Sequence, residues 1–254
     1  MAFGVLIIGD EILSGRRQDK HLSHAIALLA ARGLSLAWAH YCGDDRERLT
    51  AVLAQQYAGD DLVFCFGGIG ATPDDHTRFC AAAAAGVPLA LHADAEREIR
   101  ARFGAETDAQ RLRLGELPEG SRIIPNPYNR VPGFAFRNHH FLPGFPEMAW
   151  PMMEWVLDQW YAALHHGRAH AEQSILVYGA RESQLIAFME ALQERFGVTV
   201  FSLPCLGSEH RPAHIELGAK GAPADVTRAM LEIRAEMSRR ALAWTAAEDT
   251  RPHA

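Results

Sequence analysis

Between Leu62 and Arg78 the chain reads LVFCFGGIGATPDDHTR: an apolar run halted by Gly67, Gly68 and Gly70, then Thr72-Pro73 and the adjacent carboxylates Asp74 and Asp75. Glycines at a strand end let a ligand, phosphate above all, approach the main chain. Carboxylates beside such a seat repel phosphate unless a divalent cation lies between them. Two more acidic pairs follow apolar runs: Asp10-Glu11 after FGVLII, and Asp44-Asp45 after LSLAWAHYC. If the three runs are parallel strands, Asp10, Asp44 and Asp75 reach one edge of the sheet. There Mg²⁺, Mn²⁺ or Co²⁺ held between them would admit a phosphate and polarise a phosphoryl oxygen or activate water. Taken singly, each acid is also an ordinary cap or turn residue. Thr72-Pro73-Asp74-Asp75 has the order of an N-cap, a proline at N1 and two acids in the first turn, worth about 1 kcal/mol to a helix. That arrangement leaves the three glycines unexplained.

Other constellations carry less. Gly68-x-Gly70 lacks the third glycine of a dinucleotide fingerprint, and Gly9 and Gly15 have the wrong spacing for a P-loop. His21 and His24 lie at i, i+3 without a carboxylate in metal-binding register, which predicts a helix surface. His139 and His140 alternate across a strand and cannot share a site. Ser14 lacks the context of a nucleophilic serine, and Trp150, Trp155 and Trp160 read as core or interface.

The elements that must position these residues alternate in type. FGVLII, LSLAWAHYC and DLVFCF are strand-like. The segments from Asp19 (Leu22, Ala25, Ile26, Leu29), from Asp44-Asp45 (Leu49, Val52, Leu53) and from Asp74 to Gly86 are helix-like. This order predicts a three-layer α/β domain, a mostly parallel sheet with helices on both faces, over residues 1–164. Past residue 104, RIIPNPYNRVPGFAF resists helix, HHFLPGFPEM reads as a short strand opening into a loop, and 147–160 as a closing helix. Residues 165–172 read as a linker. The order β-α-β-β-α over 173–243, with Val226, Met230, Ile233 and Met237 striping the last helix, predicts a small α+β domain of ferredoxin-like kind. Residues 244–254 read as a disordered tail.

Composition sets the outer bounds. The chain has 254 residues, 48% hydrophobic and 22% charged, with a formal charge of −6. The excess of acid and the lack of a basic block argue against nucleic acid as partner. No apolar run is long enough to span a membrane, the four cysteines (Cys42, Cys65, Cys80, Cys205) lack paired spacing and read as reduced buried thiols, and the expected compartment is the cytoplasm.

The motifs also carry a resemblance. GGIGATPDDHTR resembles the G-G-[TL]-G-P-T-x-D-D-x-T signature of the MoaB/Mog-like molybdopterin-binding domain, in the form with adjacent aspartates typical of CinA-type competence/damage-inducible proteins. GDEILSG, CGDDRERL, NPYNRVPGF and LPGFPEM resemble further segments of that family, in order, across residues 4–160. The resemblance implies binding of molybdopterin or an adenine nucleotide at the strand ends. Associated activities are adenylylation of molybdopterin in molybdenum cofactor biosynthesis, metal-dependent hydrolysis of pyrophosphates such as ADP-ribose or FAD, or binding without turnover. It implies phosphate contacts at Gly67, Gly68, Gly70 and Thr72, with Asp74 beside them. Metal or water would be held by Asp75 and Asp44 with Asp10 in support, and the organic part of the pocket would be shaped by Asn126 and Leu142-Pro143-Gly144. A homodimer or homotrimer is expected. The chain departs from the pattern at Asp19-Lys20-His21 (for D-T-N), at Ala71, at Tyr128-Asn129-Arg130 and in a loop one residue short before Glu147. These changes imply an altered ligand or lost turnover; Lys20, His21 and Arg130 add positive charge for phosphate.

Overall fold

The computed structural model describes residues 2–167, 171–208 and 212–247. The chain divides into two compact units, Met1–His165 and His166–Ala254.

In the first unit, β1 (Phe3–Ile8), β2 (Leu36–Cys42), β3 (Leu62–Phe66), β4 (Leu89–Leu91), β5 (Glu116–Pro118), β6 (Arg122–Ile124), β7 (Gly133–Phe136) and β8 (His139–Leu142) are joined by helices α1 (Asp10–Leu13), α2 (His21–Ala30), α3 (Arg46–Gln56), α4 (Thr77–Ala85), α5 (Ala93–Phe103), α6 (Ala109–Leu112) and α7 (Pro146–Trp160). The main sheet runs β2-β1-β3-β8-β7-β6. Its first four strands are parallel, and β7 and β6 return antiparallel. The unbroken apolar runs follow from burial on both faces. Val5 and Ile7 of β1, with Phe64 and Phe66 of β3, join Ala25, Leu29, Met152 and Val156 beneath α2 and α7. Leu6, Ile8, Val63 and Cys65 face Leu49, Leu53 and Ala81 of α3 and α4 on the other side. Register brings the strand ends level: Ile8 lies opposite Cys42, Ile7 opposite Phe66, and Phe66 opposite Leu142.

Two local expectations change. The helix foreseen from Thr72 starts instead at Thr77. Thr72–Asp75 is a separate turn, closed by the Asp75 N–H to the Thr72 carbonyl at 3.0 Å. His21 is buried rather than on a helix surface, its ring stacked on Phe66 at 4.5 Å between centroids. The described cysteines are all free; Cys42, Cys65 and Cys80 are buried and Cys205 half-buried.

The second unit contains β9 (Ala171–Tyr178), α8 (Ile186–Phe196), β10 (Thr199–Cys205), β11 (His214–Gly221), α9 (Pro223–Arg239) and β12 (Trp244–Ala246). Its antiparallel sheet runs β10-β11-β9-β12, the strand order of a ferredoxin-like split βαβ unit. Val226, Met230, Ile233 and Met237 are buried against Ile175, Val177 and Leu217. Trp244–Ala246, assigned from sequence to a tail, pairs with β9 as the fourth strand; the tail from 248 onward lies outside the described residues, as do 168–170 of the linker. No described helix is long and apolar enough to cross a membrane.

Candidate functional site

The level ends of β1, β2, β3 and β8 open onto a cleft of about 670 Å³. Its back wall is the loop after β3. Gly67 has φ 110°, and a Cβ there would collide with the Ile8 carbonyl oxygen; a Cβ at Gly68 (φ 66°) would meet the Thr77 hydroxyl. The first two glycines are therefore demanded by the fold itself. Thr77, at the start of α4, fastens the loop: its hydroxyl donates to the Gly67 carbonyl at 2.9 Å and its N–H to the Gly68 carbonyl at 3.0 Å. Arg78, 1% exposed, donates from beneath to the carbonyls of Gly70 (2.6 Å), Glu116 (3.1 Å) and Arg113. With the carbonyls so engaged, the N–H groups of Gly68, Ile69, Gly70 and Ala71 have no hydrogen-bond partner among the described residues. Four successive unpaired N–H groups on a cleft wall suit an anion.

The acids occupy three different situations. Asp10 and Asp44 meet across the ends of β1 and β2: the Asp10 N–H donates to the Asp44 carboxylate at 2.9 Å and the Asp44 N–H to the Asp10 carboxylate at 3.2 Å. Gly43 makes room for this exchange, since a Cβ there would strike Asp10 Oδ1. Partial burial, with the carboxylates of Asp10, Glu11 and Asp74 adding to it, pushes the Asp44 carboxyl above its ordinary range; the Asp10 N–H bond works the other way. Asp75 instead accepts from the N–H of Thr72 at 2.9 Å and from the Thr72 hydroxyl. Asp10, Asp44 and Asp75 thus do not form the expected triad, and among the described residues no three His, Cys, Asp or Glu side chains are grouped to hold a metal ion by themselves.

Asp44, Gly67, Gly68, Gly70, Thr72, Asp74, Asp75, Asn126, Pro143 and Gly144 all line the cleft. Two expected residues do not. Asp10 supports Asp44 from behind, and Leu142, 0% exposed, belongs to the hydrophobic core, because its place in β8 turns it inward. Asn126 is spent on its own loop, donating to the Val131 carbonyl at 2.9 Å and accepting from the Tyr128 N–H at 3.0 Å. Arg130 pairs with Glu98 at 2.9 Å. Glu11, named in the sequence only as the neighbour of Asp10, joins the lining, as do Arg17 and Phe145, which were not singled out. The Arg17 guanidinium lies 5.9 Å from the centre of the Phe145 ring; the only sequence signal was the basic pair Arg16-Arg17 close behind GDEILSG. The ionisable lining is then Glu11, Asp44, Asp74 and Asp75 against Arg17. An anionic ligand would be repelled by so acidic a cleft unless a counter-cation came with it. Mg²⁺ suits that role, since it is commonly held by one or two carboxylates plus substrate phosphate and water. Asp44 and Glu11, both in the lining, are the carboxylates that could hold one.

Comparison with known proteins shows the family of the first unit. Residues 4–165 match the family profile described as a probable molybdopterin binding domain. A CinA-like protein of Citrifermentans bemidjiense is 33% identical over 198 residues, covering 75% of this chain and 47% of the relative. One from Geobacter metallireducens is 32% identical over 251 residues, covering 95% and 60%. The chain spans roughly half the length of such relatives. The solved structure of the protein CinA from Thermoplasma acidophilum superposes with a TM-score of 0.56 at 27% identity, over 62% of this chain and 98% of that one. Through its first 165 residues, the chain belongs to the family of probable molybdopterin binding domains.

Proposed function

We propose that the first unit binds a nucleotide diphosphate together with Mg²⁺, Mn²⁺ or Co²⁺ and hydrolyses it, ADP-ribose being the model substrate and AMP a product. The observation that carries this reading is that Gly68 to Ala71, whose N–H groups have no partner among the described residues, line one cleft with Glu11, Asp44, Asp74 and Asp75. The N–H groups receive phosphate oxygens and Asp44 and Glu11 hold the cation, with Asp10 fixing the Asp44 backbone and side chain. When bound, the cation offsets carboxylate repulsion and polarises the phosphoryl group. Asp75 and Thr72 keep the loop in shape. A homodimer or homotrimer belongs to the same proposal; elution as a monomer in size-exclusion chromatography would refute that part.

A second reading has its own support. Asp75 is committed to Thr72 and no three-carboxylate cluster exists among the described residues, which favours a protein that binds a pterin or nucleotide without turnover. Incubation with ADP-ribose, FAD and NAD, with and without Mg²⁺ or Co²⁺, separates the two. Metal-dependent AMP supports hydrolysis; binding with no AMP supports the second reading. Adenylylation of added molybdopterin by ATP would replace both with a synthetic role.

A further inference from the structure

An open sheet has edges, and an edge with unpaired main-chain groups is a template for another strand. We infer that β2 is the surface on which two copies of this chain join. The two strands lie antiparallel across a twofold axis, and the main sheets run on from one copy to the next. The inference goes beyond the homodimer-or-homotrimer reading above: it names the surface, and with it an assembly that closes at two.

Three observations carry it. First, among the described edge strands of the two larger sheets, β2 alone lacks protection. β6, at the far side of the main sheet, has three residues and the exposed Arg122, and β12 has three residues. β10 carries Pro204, and its Val200 N–H is already taken by the Gln193 side chain at 3.0 Å. β2 has seven residues, LAWAHYC, with neither a charge nor a proline. The Cys42 carbonyl accepts from the Gly9 N–H at 3.0 Å, so Cys42 and, in step with it, His40 turn their main-chain groups toward β1. Ala39 and Tyr41 turn theirs outward, where they have no partner among the described residues. Second, apolar side chains border this edge: Tyr41 is 42% exposed, Leu13 56% and Ile26 49%. The Tyr41 hydroxyl donates to Asp19 at 2.8 Å, which lays the ring toward the start of α2. Leu13 lies beside Gly43, just past the strand. α2 meets α7 through His24, stacked on Trp150, and Arg32, paired with Asp158. Ile26 is about 200° round the helix from His24, on the flank toward β2. Third, the strand is complementary to itself. A twofold pairing sets β2 against its own copy, which a charged strand resists. With Ala39 opposite Tyr41 of the second copy, every outward N–H meets a carbonyl and His40 falls beside the axis. A strand of another sequence finds no charge on β2 to select it. A second copy needs none, and brings its own Leu13, Ile26 and Tyr41 to cover those of the first.

The test is sedimentation equilibrium of the full chain beside two variants. Leu13→Lys/Ile26→Lys alters exposed side chains only and sets like charges along the joint. His40→Cys, in a Cys205→Ser background, brings two thiols together across the axis, where opposed residues without mutual hydrogen bonds stand about 4.5 Å apart at Cα, within reach of a disulfide. The expected result is a dimer, with a self-dissociation constant at least about tenfold larger in the lysine variant. On a non-reducing gel, added oxidant should give a covalent dimer of His40→Cys and none of the Cys205→Ser background. A trimer would overturn the inference and leave the oligomer reading standing. A monomer would overturn both, and leave β2 to a strand of another protein. A dimer that the lysines do not weaken and the new cysteine does not cross-link would put the joint on another face, overturning the assignment. Should the lysine variant fail to fold, as judged by its circular dichroism, the His40→Cys cross-link decides.

Discussion

Arg78 occupies a position no local rule would assign to it. It is 1% exposed, and its partners are backbone carbonyls of Gly70, Arg113 and Glu116 rather than a carboxylate. Burial lowers its basicity, with Glu116 and Asp75 acting in the opposite direction. Arg78→Met retains most of the length and removes the donors. Hydrogen bonds from a charged donor contribute about 1.5–3 kcal/mol each. Two well-formed ones therefore contribute about 3–6 kcal/mol gross, and recovery of the guanidinium's hydration in the unfolded chain offsets part of this. The expected net loss is about 3 kcal/mol, a fall of roughly 6–12 °C in the midpoint of thermal unfolding for a unit of this size. Arg78→Lys, which keeps the charge but not the fork, should fall between the two. Urea titration followed by circular dichroism measures both variants. A methionine variant as stable as the original would show that desolvation cancels the three bonds. The view that Arg78 holds the glycine loop in place would then be wrong.

Other expectations concern pH, backbone and charge. Burial lowers His139 to about 3 and His140 to about 4 from 6.5. The unfolded chain therefore takes up protons that the folded one refuses, and the histidine contribution is fully present above pH 6.5 and lost as pH falls toward 4. Their joint slope is up to about 2.7 kcal/mol per pH unit in the middle of that window; urea midpoints at several pH values should flatten in a His139→Gln/His140→Gln double variant. Gly67→Ala, facing both a positive φ and the Ile8 carbonyl, should cost about 3 kcal/mol or more, read from the same titrations. Asp44→Asn should weaken Mn²⁺ binding, followed by the electron paramagnetic resonance of the free ion, and reduce AMP release about tenfold or more, a loss near 1.4 kcal/mol. Unchanged Mn²⁺ affinity would remove Asp44 from the cation site.

Much of the first unit was legible because its signals are local and redundant. FGVLII and LVFCF have no polar side chain to spare for a solvent face, so burial on both sides follows from composition, and the acidic turns must then sit at strand ends. Asp10 and Asp44 do meet there. Asp75 lines the cleft as expected, but the helix start was misplaced, because Thr-Pro-Asp-Asp serves equally as a helix start or as a free-standing turn. What decides is Thr77 reaching back to Gly67, a contact the letters do not encode. His21 and Arg78 were illegible for a related reason: a polar residue becomes interior only when distant groups, Phe66 and Gly144 for one and three carbonyls for the other, supply what water would have given. Leu142 was taken for pocket wall with Pro143 and Gly144 because the resemblance covers all three, yet its place in β8 puts it in the core.

The short strand β12 has a practical reach of its own. Trp244, Thr245 and Ala246 cover the flank of β9, opposite Val177, Leu176 and Ile175. A chain shortened to end at residue 243 would strip that flank and present a bare row of amide and carbonyl groups beside apolar Ile175 and Val177, the kind of edge that recruits foreign strands. Insolubility of such a fragment would then reflect an uncovered sheet margin and would say nothing about whether the remaining residues can fold.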